Sequence, residues 1–140
     1  MIILDTDHLS LLDRDNLAGL LLAERLAEAR DVSAAVSIIT YEEQMRGWMS
    51  YVAKATTSSR QLDAYRKLRR HVETYRNIPL VDFDELAMEQ YEMLRRNKVR
   101  IGTMDLKIAS IAIANDALLL SRNLSDFSKV PGLRVEDWST

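Results

Sequence analysis

Short apolar runs recur along this chain, and longer segments of helical period separate them. Ile2-Ile3-Leu4 is the first run, Val32 to Ser37 (VSAAVS) the second, IPLVDF from Ile78 the third and ALLLS from Ala117 the fourth. Leu133 to Val135 gives a short fifth candidate. Continuous apolar runs suit strands of a sheet covered on both faces. Pro79 lies near the start of its run, where a missing N–H does least harm. Between the runs the period changes. Asn16 to Arg30 reads as a helix with Leu17, Leu20, Leu21 and Ala27 on one face. Ile38, Tyr41, Met45, Trp48 and Val52 step by three and four. After the polar break Thr56 to Ser59, a basic amphipathic helix follows with Leu62, Tyr65, Leu68 and Val72 as its stripe. Asp82 and Glu85 form a D-x-x-E capping box for a helix that runs to about Asn97. MDLKIASIAIAND is apolar almost all round, which predicts a buried helix, capped by Thr103. Strands alternating with helices predict an α/β fold, a central parallel sheet of four to five strands flanked by helices. No internal repeat or second domain is evident, so residues 1–140 are expected to form one domain.

Composition narrows the chemistry. Hydrophobic residues make up 47% and charged residues 29%, which argues against disorder. The absence of cysteine excludes disulfides and thiolate metal sites. Asp5 and Asp7 stand where a secretory leader would carry a basic region and a long apolar run, and no stretch of about 18 apolar residues occurs. A cytoplasmic protein with no membrane partner is therefore expected. With a net charge of −2, any nucleic-acid partner must be held by local basic patches.

The acids sit where such folds bind ligands, beyond the carboxyl ends of the strands. Asp5 and Asp7 follow the first run, although aspartate is a poor strand former and costly to bury unpaired. Each has an ordinary reading as turn or cap chemistry. Glu42 and Glu43 lie on the helix after the second run, Asp105 at the start of the buried helix, and Asp126 just past the fourth run. Asp105 has its own ordinary reading, as a favourable charge in a first helical turn. Taken together, carboxylates gathered at one edge repel and neutralise one another unless a cation joins them. Hard oxygen donors with no Cys and two His point to Mg²⁺ or Mn²⁺. Divalent cations held by carboxylates suit phosphodiester hydrolysis. Periodicity leaves the choice between Glu42 and Glu43 open.

LDTDHLS, SIITYEEQMRG, IGTMDLKIASIA and LLSRNLSDFSKVPGLRVEDW together resemble the four motifs of PIN-domain ribonucleases, and most nearly the VapC toxins of type II toxin–antitoxin pairs. They fall in the expected order from residue 1 to residue 140. The resemblance implies a PIN-like three-layer fold and a catalytic set of Asp5, Glu43, Asp105 and Asp126. Asp5, Asp105 and Asp126 would bind Mg²⁺ or Mn²⁺. It selects Glu43 through the pattern Thr40, Glu43, Gly47. It places Asp7, Thr40, Ser121 and Asn123 in support. It also implies an RNA substrate, a homodimer, and an antitoxin that inserts a segment across the acidic cleft, where an Arg could pair bidentately with the carboxylates.

Two other readings compete. D-x-D after a first strand also marks haloacid-dehalogenase phosphatases, but Leu9 stands where that signature has Thr or Val, and a late paired-acid motif is missing. A non-catalytic PIN-like binding domain would show eroded acids, and here all four positions are filled. The basic clusters, Arg66, Lys67, Arg69, Arg70 and Arg76 with Arg95, Arg96, Lys98 and Arg100, read first as solvated faces. His8 and His71 read as structural or surface residues, Trp48 and Met49 as core or interface, and Trp138 as a pin for the tail.

Overall fold

The computed structural model describes all 140 residues. Five parallel strands form one sheet in the order β3-β2-β1-β4-β5. The strands are β1 (Ile2–Leu4), β2 (Ala34–Ser37), β3 (Leu80–Val81), β4 (Leu118–Leu120) and β5 (Arg134–Glu136). All five runs anticipated from the sequence form strands, the third trimmed to Leu80–Val81. The helices are α1 (Thr6–Leu12), α2 (Leu17–Glu28), α3 (Ile38–Lys54), α4 (Ser58–Tyr75), α5 (Glu85–Arg96), α6 (Thr103–Ala114) and α7 (Leu124–Phe127).

Side chains alternate across the sheet, which creates three layers. Ile3 and Leu119 enter one core with Ala87 and Leu94 of α5 and Ile108, Ile111 and Ala112 of α6. Ile2, Leu4, Val36 and Leu120 enter the other, with Leu9 and Leu11 of α1 and Leu22 of α2. α6 is buried as expected, and each fully enclosed isoleucine there contributes about 1.5–3 kcal/mol. β1 lies at the centre of the sheet. The chain proceeds outward from it to β2 and β3, then returns to β4 on its other side. That reversal makes the crevice beyond the carboxyl ends of β1 and β4 the natural ligand position.

Several local expectations are corrected. α1 follows β1 directly and was not foreseen; its sequence, TDHLSLL, opens with Thr, Asp and His, which are weak helix formers. Packing against α2 sustains it, with the backbone so close that a Cβ on Gly19 would stand 2.4 Å from the Leu11 carbonyl oxygen and 2.7 Å from that of Arg14. On α2, Leu17 and Leu20 face outward while Gly19 and Leu22 are buried. On α4 the stripe is likewise displaced: Leu62, Tyr65 and Val72 are exposed, and Ala64 and His71 face the interior. At Gly19 and Ala64 small side chains win because they admit close helix approach. The cap of α5 is Asp84, which accepts the Ala87 N–H at 3.0 Å, rather than Asp82. α6 begins after Gly102 with no side-chain cap, so Thr103 is its first residue and not its N-cap.

The tail is held as anticipated. Trp138 packs on the α1–α2 side of the sheet, and its backbone N–H donates to His8 Nε2 at 3.1 Å. His8 is fully buried and structural.

Candidate acidic site at the carboxyl edge of the sheet

Four segments supply the acids. Asp5 ends β1 and caps α1, accepting the Thr6 N–H at 2.8 Å. Thus the ordinary cap reading of Asp5 is correct, yet the same carboxylate faces a cavity of about 400 Å³. Asp7, Glu43 and Asp105 line that cavity too, with Asn123, Arg14 and Arg122. Glu43 lies on α3, Asp105 in the first turn of α6, and Asn123 just before α7. Asp126, on α7, borders a neighbouring groove beside Arg95, Lys98 and Arg100. It is tied to the cavity through Asn123, whose Nδ2 donates to Asp126 at 3.1 Å and to Asp105 at 3.4 Å.

Of the two glutamates, Glu43 faces the cavity and accepts from Thr6 Oγ1 at 3.3 Å. Glu42 pairs instead with Arg46, one turn along the helix. Thr40 is fully buried; its N–H is capped by Ser37 Oγ, and its hydroxyl meets Thr6 Oγ1 at 3.2 Å. Ser121 is also buried and donates to Asp5 Oδ2 at 2.8 Å. It stands 3.4 Å from Asp7, but a hydroxyl has one proton, and the shorter contact takes it. Asp7 accepts instead from the Arg122 N–H at 3.0 Å and pairs with His8 Nδ1 at 2.9 Å. Since His8 Nε2 accepts from the Trp138 N–H, its Nδ1 is the nitrogen that donates to Asp7.

The electrostatics follow from this crowding. Burial raises the pKa of Asp5 from 3.8 to about 6, with the charge of Asp7 adding to the rise. Glu43 is raised by burial, partly offset by its Thr6 hydrogen bond. Asp105 is raised by burial and then by Asp126, against the favourable field of its helix N-terminus. None of these three carboxylates has a cationic side chain within ion-pairing distance, whereas Asp126 meets Lys129 at 3.5 Å. The donor set is all oxygen and hard, which fits Mg²⁺ or Mn²⁺. As the side chains stand, however, no three acids share a point close enough to coordinate one ion.

Sequence reasoning had left out Thr6, Ser37, Arg14 and Arg122. Ser37 was readable as a helix cap in Ser-Ile-Ile-Thr. Thr6 was visible only as the residue between two aspartates. Arg122 lay inside the fourth motif, SRNLSDF, without a role assigned to it, and Arg14 carried no pattern.

A parallel sheet with acids gathered at its strand-order reversal defines an α/β class with a hard-oxygen site at its carboxyl edge. The chain belongs to the PIN domain family, whose family model matches residues 2–133. That assignment sets aside the haloacid-dehalogenase reading. Among curated proteins, the ribonuclease VapC2 of Rickettsia felis is 35% identical over 65 residues, covering 44% of this chain and 48% of that protein. The tRNA(fMet)-specific endonuclease VapC of Salmonella typhimurium is 31% identical over 65 residues, covering 44% and 49%. The matched stretch thus spans about half the length of these curated relatives. Among solved structures, VapBC2 from Rickettsia felis bound to a promoter DNA fragment superposes with a TM-score of 0.71 at 24% identity over 99% of both chains. VapBC-1 from nontypeable Haemophilus influenzae superposes with a TM-score of 0.71 at 23% identity over the full length of both. At these identities the superpositions establish the fold. No helix is long and apolar enough to cross a membrane.

Proposed function

We propose that this chain is a Mg²⁺- or Mn²⁺-dependent endoribonuclease, the toxin of a toxin–antitoxin pair. One observation carries the reading. Asp5, Glu43 and Asp105 converge on one cavity, raised in pKa and none of them ion-paired. Such an arrangement costs stability and gains a purpose if a divalent ion enters. Asp5, Asp105 and Asp126 are the residues that would hold it. A bound divalent ion there would lower the pKa of water and offset charge on the departing oxygen.

The protein's own groups do the positioning. Ser121 fixes the Asp5 carboxylate, and Asn123 orients Asp105 and Asp126 together. Thr6 holds one oxygen of Glu43, leaving the other to orient the attacking water. Arg14 and Arg122 line the cavity and attract the RNA phosphates. Water adds to phosphorus and gives up one proton, the bond to one ribose oxygen breaks, and that oxygen takes up a proton in its place.

The VapBC complexes among its structural neighbours support a cognate antitoxin. The motif resemblance further implies that the antitoxin lays an Arg-bearing segment over the cavity, and that the chain works as a homodimer in the cytoplasm. Purified protein should cleave cellular RNA with Mn²⁺, lose that activity in EDTA, and lose at least about a hundredfold in Asp105→Asn. Expression alone should arrest bacterial growth, and co-expression of the neighbouring reading frame should restore it. Folded, metal-loaded protein that binds RNA without cutting it would make this a binding domain.

A further inference from the structure

His8 does not line the acidic cavity, yet its ring is bonded to one of the acids that do. It is fully buried, and both of its nitrogens are engaged. Nδ1 donates to Asp7 Oδ1 at 2.9 Å. Nε2 accepts the Trp138 N–H at 3.1 Å, across 130 positions of sequence. A backbone N–H can only donate, so this contact fixes which nitrogen faces which partner. The segment that supplies it is held by contacts of its own. Asp137 Oδ1 accepts from the Ser139 N–H at 2.8 Å and from its hydroxyl at 2.6 Å. That oxygen stands farther from Nε2, at 3.5 Å. The Asp137 carbonyl accepts from Arg25 of α2 at 3.4 Å, Ser139 is buried, and Trp138 packs against the core beneath.

The order imposed on the ring reaches the chemistry at Asp7. The Asp7 carboxylate lines the acidic cavity with Asp5, Glu43 and Asp105. Each of its oxygens has one principal donor, His8 Nδ1 on Oδ1 and the Arg122 N–H on Oδ2 at 3.0 Å. After burial, and for Asp105 after Asp126, the charge of Asp7 adds to the rise in pKa of both Asp5 and Asp105. Asp7 therefore acts on two of the residues that would hold the cation. Resting on the ribonuclease reading above, we propose that His8 is a positioning residue for that reaction: the segment Asp137–Ser139 holds the ring, and the ring holds the Asp7 carboxylate at the acidic cavity. His8 touches neither cation nor RNA. It acts through Asp7, and its effect is on how tightly the site takes up a divalent ion. Outer hydrogen bonds of this kind decide whether a carboxylate stands ready or must be reoriented when the ion enters. A packing role alone would be met by an apolar side chain of similar size, with no nitrogen to engage.

The test is the Mn²⁺ affinity of the full chain by titration calorimetry, with the melting temperature in EDTA as the measure of folding. His8→Asn carries an amide NH₂ near the place of Nδ1 and nothing near Nε2, so it can still donate to Asp7. His8→Gln carries its amide near the place of Nε2, so it can accept the Trp138 N–H and leaves Asp7 Oδ1 without its donor. Both lose the ring, and both should melt below wild type. His8→Gln should bind Mn²⁺ about tenfold more weakly than wild type, and His8→Asn should come within about threefold of it. In an Asp7→Ala background His8→Gln should add nothing further, because both changes remove the same contact. Trp138→Pro lacks the N–H that Trp138→Ala keeps, and should weaken Mn²⁺ binding where Trp138→Ala does not; this pair carries the test if the His8 variants fail to fold. Unchanged affinity in His8→Gln, or equal losses in His8→Asn and His8→Gln, would make His8 a packing residue and overturn the proposal. Losses that multiply with Asp7→Ala would overturn it as well. Wild-type protein that binds Mn²⁺ but cuts no RNA defeats the ribonuclease reading, while a tenfold gap between the two His8 variants would still uphold the link from His8 to the cation. Wild-type protein that binds no Mn²⁺ overturns both.

Discussion

Replacing Asp5 by asparagine removes a charge from the most crowded carboxylate in the protein while keeping its shape. The amide oxygen can still accept the Thr6 N–H, and the new NH₂ can donate to Ser121, whose hydroxyl turns to suit. The magnitude follows from the rise of Asp5 from 3.8 to about 6. Each pKa unit is worth about 1.4 kcal/mol, so ionised Asp5 costs the metal-free fold roughly 3 kcal/mol. The sign is that of a carboxylate raised by folding. Below 3.8 it is neutral in both states and no penalty exists. Stability then falls as pH climbs through about 6, and above that the whole penalty is present. Asp5→Asn should therefore match wild type at about pH 4 and exceed it at about pH 8, both in EDTA. For a chain of this length 3 kcal/mol corresponds to roughly 10 °C in melting temperature. Mn²⁺ at about a hundred times its Kd should then stabilise wild type by about 2.7 kcal/mol and the variant by less. Melting curves at the two pH values, with EDTA and then Mn²⁺, measure all of this. If Asp5→Asn melts below wild type by the same amount at both pH values, Asp5 is a helix cap and nothing more, and the reasoning fails.

Two further changes test the local structure by chemical denaturation. Asp84→Ala should cost about 1 kcal/mol as a lost cap, while Asp82→Ala should cost less than about 0.5 kcal/mol. Gly19→Ala should cost about 1–3 kcal/mol, because its methyl group meets two backbone carbonyls that have no room to retreat; a neutral effect would mean that α1 and α2 are not packed so closely.

What the sequence conveyed depended on whether the signal was local. β1, β2, β4 and α6 are buried on every side, so their apolar runs need no partner to be recognised. Asp5 and Asp105 stood out for the same reason, as charges set against apolar neighbours. α1 escaped notice because its support comes from α2 and from its cap, not from its own residues. The faces of α2 and α4 were misplaced because hydrophobicity favours Leu20 or Tyr65, whereas close packing favours Gly19 or Ala64. Glu43 parted from Glu42 through a hydroxyl on another helix.

The central place of β1 has a consequence for synthesis on the ribosome. The strand made first is completed on one side by β4, which is made more than a hundred residues later; Ser121 lies 116 residues beyond the Asp5 that it holds. Emerging β1 and β2 can pair early, but the crevice has one wall until the segment carrying Ser121, Asn123 and Asp126 leaves the exit tunnel. Contacts so distant along the chain form late. The growing polypeptide thus carries Asp5 exposed for most of its manufacture without assembling the acidic site, and the ribosome that makes the chain works beside it while that site does not yet exist.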